Sequence, residues 1–137
     1  MDKMYFGAGR LVLVVDDQPD FCEAMQHLVA TLGFRAVCAG NGIDALAKLE
    51  HETPSLVLLD LFMPFMDGID FMRQVRARKR NPPPIIAVTG DVRAAAIAVG
   101  SAAQSLGAKA ILLKPFTREQ LAKVMNYALE EPATASA

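Results

Sequence analysis

The chain has 137 residues, 53% of them hydrophobic and 21% charged, so it is expected to fold as one domain with a substantial core. Its formal net charge of −1 gives no reason to expect direct nucleic-acid binding. The apolar runs are too short to span a bilayer and the start lacks the apolar stretch of a signal peptide. We therefore expect no membrane partner and a cytoplasmic location.

Hydrophobic patterning predicts five strands that alternate with five helices. The strands are short, nearly all-apolar runs, which is typical of strands buried on both faces. In chain order they cover 11–15, 35–38, 56–60, 85–89 and 110–113. The helices carry apolar residues at helical spacing and begin near Asp20, Asn41, Ile69, Asp91 and Thr117. We assign residues 1–9 to a loose leader, 10–130 to the domain and 131–137 to a flexible tail.

Some residues indicate where the helices begin and end. Gly33 is a stop signal after the first helix, and Asn41 is a good N-cap for the second. Thr117 with Gln120 three residues later matches a capping box. Basic residues over 76–80 end the third helix, where cations suit the helix dipole. This position favours a solvated helix end over a nucleic-acid patch.

Strands alternating with helices indicate an α/β protein with a parallel sheet covered by helices on both faces. Right-handed crossovers restrict the topology. The fold class we predict is a doubly wound five-stranded parallel sheet in the order 2-1-3-4-5 with five helices, a flavodoxin-like three-layer sandwich. In such sheets ligands bind beyond the carboxyl ends of the strands.

Four of the five predicted strands end at that edge in polar side chains, namely Asp16 with Asp17, Asp60, Thr89 and Lys114. Two like charges about 4 Å apart cost roughly 4 kcal/mol at an effective dielectric of 20, so three carboxylates need a cation. A pocket of oxygen ligands suits Mg²⁺ better than zinc. With Thr89 as a hydroxyl donor and Lys114 as a cation, the set could bind a phosphoryl group with Asp60 as nucleophile.

Each of these residues also has a purely structural interpretation. Asp16 and Asp17 could cap the first helix, Thr89 could be a turn residue, and Lys114 could form a structural salt bridge with Asp60. Coincidence of all of them at one sheet edge is less probable than any single structural role. Two further polar candidates, Cys22 and Cys38, are interpreted as reduced, buried small hydrophobes.

From about Arg10 to Leu129 the sequence resembles a response-regulator receiver domain. The matching segments are Val14 to Asp17, Leu58 to Asp60, Met63-Pro64 with Met66 to Gly68, Val88 to Gly90, and Leu113 to Phe116. The resemblance implies that Asp60 accepts a phosphoryl group from a phosphohistidine on a sensor histidine kinase or a histidine phosphotransfer protein. It implies a signalling phosphoacceptor, not an enzyme, that controls a downstream protein target. It is also compatible with a dimer that forms on phosphorylation.

The resemblance also implies roles at the site. Asp17 would be the principal Mg²⁺ ligand, helped by Asp16, Asp60 and the backbone carbonyl of Phe62. Thr89 and Lys114 would bind the phosphoryl group, and the Lys114-Pro115 bond would be cis.

The sequence departs from the family pattern at three places. Ile111 occupies the switch position, where an aromatic residue is common, and the stretch between Thr89 and Lys114 is longer than usual. Phe62, two residues after Asp60, is bulky and apolar and could shield an acyl phosphate from water. Because Ile111 has no ring to rotate, we expect phosphorylation to act mainly on the alanine-rich segment 92–105.

Two other functions are compatible with this fold class. The first is an adaptor of the same fold that binds a partner without phosphorylation, and the complete set of site residues argues against it. The second is a small hydrolase or flavin-binding protein. The sequence contains no glycine-rich phosphate loop and no Ser-His-Asp arrangement, and His27 and His51 fall on helices where we expect them to be exposed.

Overall fold

The structure is a computed structural model that describes residues 6–63, 66–90, 101 and 103–130. Its sheet has five parallel strands in the order β2-β1-β3-β4-β5, which confirms the predicted topology. The strands are β1 (Leu11–Val15), β2 (Arg35–Ala39), β3 (Leu56–Asp60), β4 (Ile85–Thr89) and β5 (Ala110–Leu113). Four strands have the predicted bounds, and β2 is one residue longer because its pairing with β1 continues through Ala39.

The helices are α1 (Pro19–Ala30), α2 (Gly42–His51), α3 (Gly68–Arg78) and a C-terminal helix (Arg118–Leu129). Their ends use the predicted signals. The side chain of Asn41 accepts from the backbone N–H of Asp44 at 2.8 Å, and Thr117 and Gln120 form the capping box. Of the helix predicted from Asp91, the structure describes only Ser101 and 103–105, which are helical, and the rest lies outside the described residues.

The sheet separates two apolar layers because alternate residues of each strand point to opposite faces. Leu13 and Val15 of β1 pack with α2 and α3, whereas Val12 and Val14 pack with α1 and the C-terminal helix. The same alternation holds for β3 and β4. The sheet and the helices on its two faces form the predicted three-layer sandwich. Every residue of the central strands β1, β3 and β4 is buried.

The parallel register brings the carboxyl ends of the strands to one edge. Val15 pairs with Leu59, Asp60 with Val88, and Thr89 with Leu113. The polar residues that end the strands therefore meet there, as the sequence predicts. Within the described ranges, no helix has the length and apolar character needed to cross a membrane.

The described part of the predicted leader, residues 6–9, is packed on the domain. Phe6 makes an edge-to-face contact with Phe34, with 5.1 Å between ring centroids. The backbone N–H groups of Gly7 and Gly9 donate to the carbonyls of Leu32 and Gly33 at 3.0 and 2.8 Å. These contacts hold residues 6–9 on the domain, whereas the sequence predicts a loose leader over residues 1–9.

The first and last helices are joined by one arginine. Arg118 donates from Nε to Oγ1 of Thr31 at 2.9 Å and from Nη2 to its carbonyl oxygen at 3.0 Å. Thr31 is the C-cap of α1, so the contact satisfies a carbonyl that has no partner within the helix.

Candidate functional site

Three carboxylates converge at the carboxyl edge of the sheet. Asp16, Asp17 and Asp60 each offer one oxygen, and these oxygens lie within 4.8 Å of one another. Asp16 and Asp60 are buried, with 2% and 9% of their surface exposed, whereas Asp17 faces solvent. The arrangement follows from the topology, because β1 and β3 are neighbours and end at the same level.

Asp60 lies in an environment that disfavours its charged form. Burial, together with the nearby charges of Asp16 and Asp17, raises its pKa to about 6. The backbone N–H of Phe62, which donates to Oδ1 of Asp60 at 3.1 Å, and the charge of Lys114 act in the opposite direction. Burial dominates, so Asp60 is more basic than an ordinary aspartate.

Asp16 has a partner on each oxygen. Its Oδ1 accepts from the backbone N–H of Gln18 at 2.9 Å, and its Oδ2 lies 3.1 Å from Nζ of Lys114. The alternative that Asp16 and Asp17 cap α1 does not hold, because Gln18 occupies the N-cap position and makes no side-chain capping bond. Asp16 therefore orders the turn before the helix and pairs with Lys114, rather than capping the helix itself.

Lys114 also contacts an aromatic ring. Its Nζ lies 4.0 Å from the ring centroid of Phe21 on α1. Phe21 in turn meets Phe116 edge to face, with 6.3 Å between centroids and an interplanar angle of 89°. Hydrophobic periodicity accounts for Phe21 only as part of the apolar face of α1. The sequence does place Phe21 about one helical turn after Asp16 and Asp17. This spacing alone does not predict that the side chain of Lys114 will reach the ring.

The remaining predicted site residues lie around this centre. Thr89 ends β4 and is 1% exposed. The Lys114-Pro115 bond is cis, as the resemblance implies. Phe62 is 47% exposed, and Ile111 is half-buried against the layer that contains α2 and α3.

Gly68, at the start of α3, packs directly against the backbone at the end of β3. A Cβ at this position would lie 2.7 Å from the carbonyl oxygen of Asp60 and 2.7 Å from Cα of Leu61. The N–H of Gly68 donates to the carbonyl of Leu61 at 3.2 Å. The backbone that carries Asp60 can pack this closely only because Gly68 has no side chain.

The donor set fits Mg²⁺. All three clustered side chains offer carboxylate oxygens, the ligand type of a small hard cation, and the solvent-facing Asp17 leaves one side open to water ligands. Lys114 offsets only part of the negative charge, since its ion pair goes to Asp16.

The other titratable candidates lie outside the carboxylate cluster. His27 and His51 are exposed on α1 and α2, as predicted. Cys22 and Cys38 are free thiols; Cys22 is buried and Cys38 is only half-buried. Burial is the main reason that the pKa of both thiols is raised, so neither is an activated nucleophile.

A doubly wound sheet with paired aspartates, a third aspartate, a threonine and a lysine at its carboxyl edge defines a two-component signalling domain. The chain belongs to the response regulator receiver domain family, whose sequence model matches residues 12–126. Receiver domains are signalling domains that bind Mg²⁺ and interact with histidine kinases and downstream effectors.

Individual relatives agree with this assignment. The chain is 36% identical over 114 residues to the sensory transduction protein RegX3 of Mycolicibacterium smegmatis; the match covers 82% of this chain and 48% of that protein. The chain thus spans about half the length of this curated relative. The chemotaxis protein CheY4 of Vibrio cholerae matches with a TM-score of 0.78 and 29% identity, over 88% of this chain and 99% of that one. A response regulator receiver protein from Pseudomonas putida matches with a TM-score of 0.78 and 32% identity, over 88% and 98% of the two chains.

Proposed function

We propose that Asp60 accepts a phosphoryl group from a phosphohistidine on a sensor histidine kinase or a histidine phosphotransfer protein. The observation that carries this proposal is the clustering of Asp16, Asp17 and Asp60 at one sheet edge, with Lys114 in contact with the cluster. Asp16 and Asp60 are both buried, but Asp60 is the one that ends the central strand β3, which has neighbouring strands on both sides.

The chemistry is an attack of one Asp60 oxygen on phosphorus. The new O–P bond forms as the N–P bond of the phosphohistidine breaks, and the imidazole leaves with its electron pair and takes up a proton. The N–H of Phe62 orients Oδ1 of Asp60, which leaves the other oxygen for attack. A pKa of about 6 keeps most of Asp60 ionised at neutral pH while making it a better nucleophile than an ordinary aspartate.

We propose that Asp17, Asp16, Asp60 and the carbonyl of Phe62 hold the Mg²⁺. When bound, the ion supplies positive charge that neutralises the transferring phosphoryl oxygens. Thr89 and Lys114 are proposed to bind those oxygens from the ends of β4 and β5. The protein does not turn over a substrate in this scheme; it assists its own phosphorylation and dephosphorylation.

The output is proposed to be a shift between two conformations that controls a downstream protein. Thr89 and Lys114 lie at the ends of adjacent strands, so contacts to a phosphoryl group favour one arrangement of the elements that follow them. We further propose the cytoplasm as the location, which the two free thiols support. The adaptor alternative is not favoured, because an adaptor has no need for three carboxylates in mutual repulsion.

The proposal is tested by incubation with Mg²⁺ and a small phosphodonor, followed by mass spectrometry of the labelled peptide. We expect one phosphoryl group on Asp60 and none in Asp60→Asn. Asp70→Asn is the matched control, because Asp70 is an exposed aspartate of α3 outside the cluster. Labelling of Asp60→Asn at the wild-type level would refute the assignment.

A further inference from the structure

The ammonium group of Lys114 has two neighbours on the side of β1. It pairs with Oδ2 of Asp16 at 3.1 Å and lies over the face of the Phe21 ring at 4.0 Å from the centroid. An ammonium at that distance from an aromatic face is attracted by the negative potential above the ring. The Lys114 side chain is 24% exposed, so water only partly weakens this attraction.

The plane of the Phe21 ring is itself fixed. Phe116 follows Lys114 by two residues and meets Phe21 edge to face at 89°. Both rings pack against the layer formed by α1 and the C-terminal helix. The ring that receives the ammonium is therefore held by a residue of the same loop that carries the lysine, which makes the contact a built arrangement rather than a chance approach.

We propose that Phe21 is a positioning residue for Lys114. In the unphosphorylated protein its ring holds the ammonium beside Asp16, and the ammonium leaves the ring when it turns to a phosphoryl group on Asp60. The release of the ammonium from the ring rests on the proposed function. Because β3 lies between β1 and β5, a phosphoryl group on Asp60 would compete with Asp16 and the Phe21 ring for the ammonium.

Nuclear magnetic resonance of the full chain with selectively labelled lysine tests whether the Phe21 ring holds the Lys114 ammonium. This test needs no phosphoryl chemistry. The ring current of Phe21 should move the ε-methylene protons of Lys114 upfield. We expect this shift to be lost in Phe21→Leu and kept in Phe21→Tyr, which restores a ring. Phe6→Leu is the matched control, since Phe6 also forms an edge-to-face pair and packs on the same layer. Phe21→Met offers a second ring-free variant if the leucine variant does not fold.

An unchanged Lys114 resonance in the ring-free variants would overturn the inference. Loss of the shift in Phe21→Tyr as well would assign Phe21 a purely packing role and would also overturn it.

Beryllium trifluoride is a phosphoryl analogue and, added with Mg²⁺, tests whether the ammonium leaves the ring. Saturation of the wild type should abolish the upfield shift. Because the ammonium no longer has to leave a ring, Phe21→Leu should need about two- to five-fold less analogue for half saturation. Persistence of the shift at saturation, or equal or weaker binding by Phe21→Leu, would contradict the release step. A wild type that binds no analogue would overturn the proposed function, while the ring-current comparison would still decide whether Phe21 positions Lys114.

Discussion

Lys114 at the end of β5 is ion-paired with Asp16 at the end of β1, with 3.1 Å between Nζ and Oδ2, although β3 and β4 lie between those two strands. The lysine side chain therefore crosses the edge of the sheet above the site. Because Asp16 is buried, the pair matters more than an exposed one would.

Replacement of this lysine should destabilise the fold. In Lys114→Met the buried Asp16 keeps only the N–H of Gln18, so we expect the free energy of unfolding at neutral pH to fall by about 1–2 kcal/mol. Mg²⁺ should recover part of the loss by restoring positive charge. Lys109→Met, at an exposed lysine just before β5, is the control and should stay within about 0.5 kcal/mol of wild type in urea unfolding. Equal stability of the two variants would show that the ion pair is unimportant.

Mg²⁺ binding should depend most on Asp17. Its side chain faces solvent, whereas both oxygens of Asp16 already have partners. We expect Asp17→Asn to weaken Mg²⁺ binding by at least about tenfold, since losing one charge beside the ion costs more than 1.4 kcal/mol. Asp16→Asn should weaken binding less. Calorimetric titration measures the affinities, with Asp44→Asn on α2 as the control. Wild-type affinity in Asp17→Asn would mean that the ion binds elsewhere.

Asp60 should make the protein less stable as the pH rises in the absence of Mg²⁺. Its pKa is about 6 in the folded state and 3.8 as the ordinary value, so between these values the folded protein binds more protons than the unfolded chain. The favourable contribution is complete below the ordinary value and is lost as the pH rises through about 6. After allowance for solvent screening, we expect a loss of about 1–2 kcal/mol.

Urea unfolding in a chelator, from pH 4 to pH 7.5, measures this effect as the difference between wild type and Asp60→Asn. Above pH 6 the asparagine variant should be the more stable of the two. Asp70→Asn should follow the wild type across the range, because Asp70 is exposed and pairs with Arg73 on the surface. A constant difference between wild type and Asp60→Asn would contradict the assigned pKa.

Gly68 should not tolerate a methyl group. In Gly68→Ala the new Cβ meets the backbone of Asp60 and Leu61 at 2.7 Å, and backbone atoms cannot move aside cheaply. We expect a loss of about 2–3 kcal/mol in unfolding free energy, together with slower phosphorylation, because Asp60 must shift. Gly40→Ala is the control, since nothing lies within 4 Å of its Cβ position. Similar stability of the two variants would show that Gly68 is not packed tightly against Asp60 and Leu61.

Much of this site is predictable from local sequence because its geometry is a property of parallel strands. Four of the five strand runs end at polar residues, and parallel strands place those ends at one edge whatever the details of packing. This argument alone predicts the positions of Asp60 and Thr89, and the structure places both at that edge. Helix boundaries were predictable for a similar reason, since the caps at Asn41 and Thr117 involve residues three positions away.

The contacts of Lys114 were not predictable in this way. Its partner Asp16 is 98 residues distant, and hydrophobic periodicity says nothing about the path of a long side chain across a sheet edge. The purely structural interpretation of Lys114 pairs it with Asp60, whereas the ion pair goes to Asp16. The docking of Phe6 on Phe34 was missed for the same reason, since only the folded chain brings the two rings together.

The bond between Arg118 and Thr31 has a consequence for synthesis on the ribosome. Its two ends are 87 residues apart, so the carbonyl end of α1 gains this partner only after that length of chain has been synthesised. The same delay applies to the apolar face that Leu121 and Met125 bury. A nascent chain that stops short of the C-terminal helix therefore exposes the part of this face that α1 does not cover, over β3 to β5, the kind of surface that chaperones bind. Co-translational folding of this domain is expected to finish in one late step, when its last helix leaves the exit tunnel.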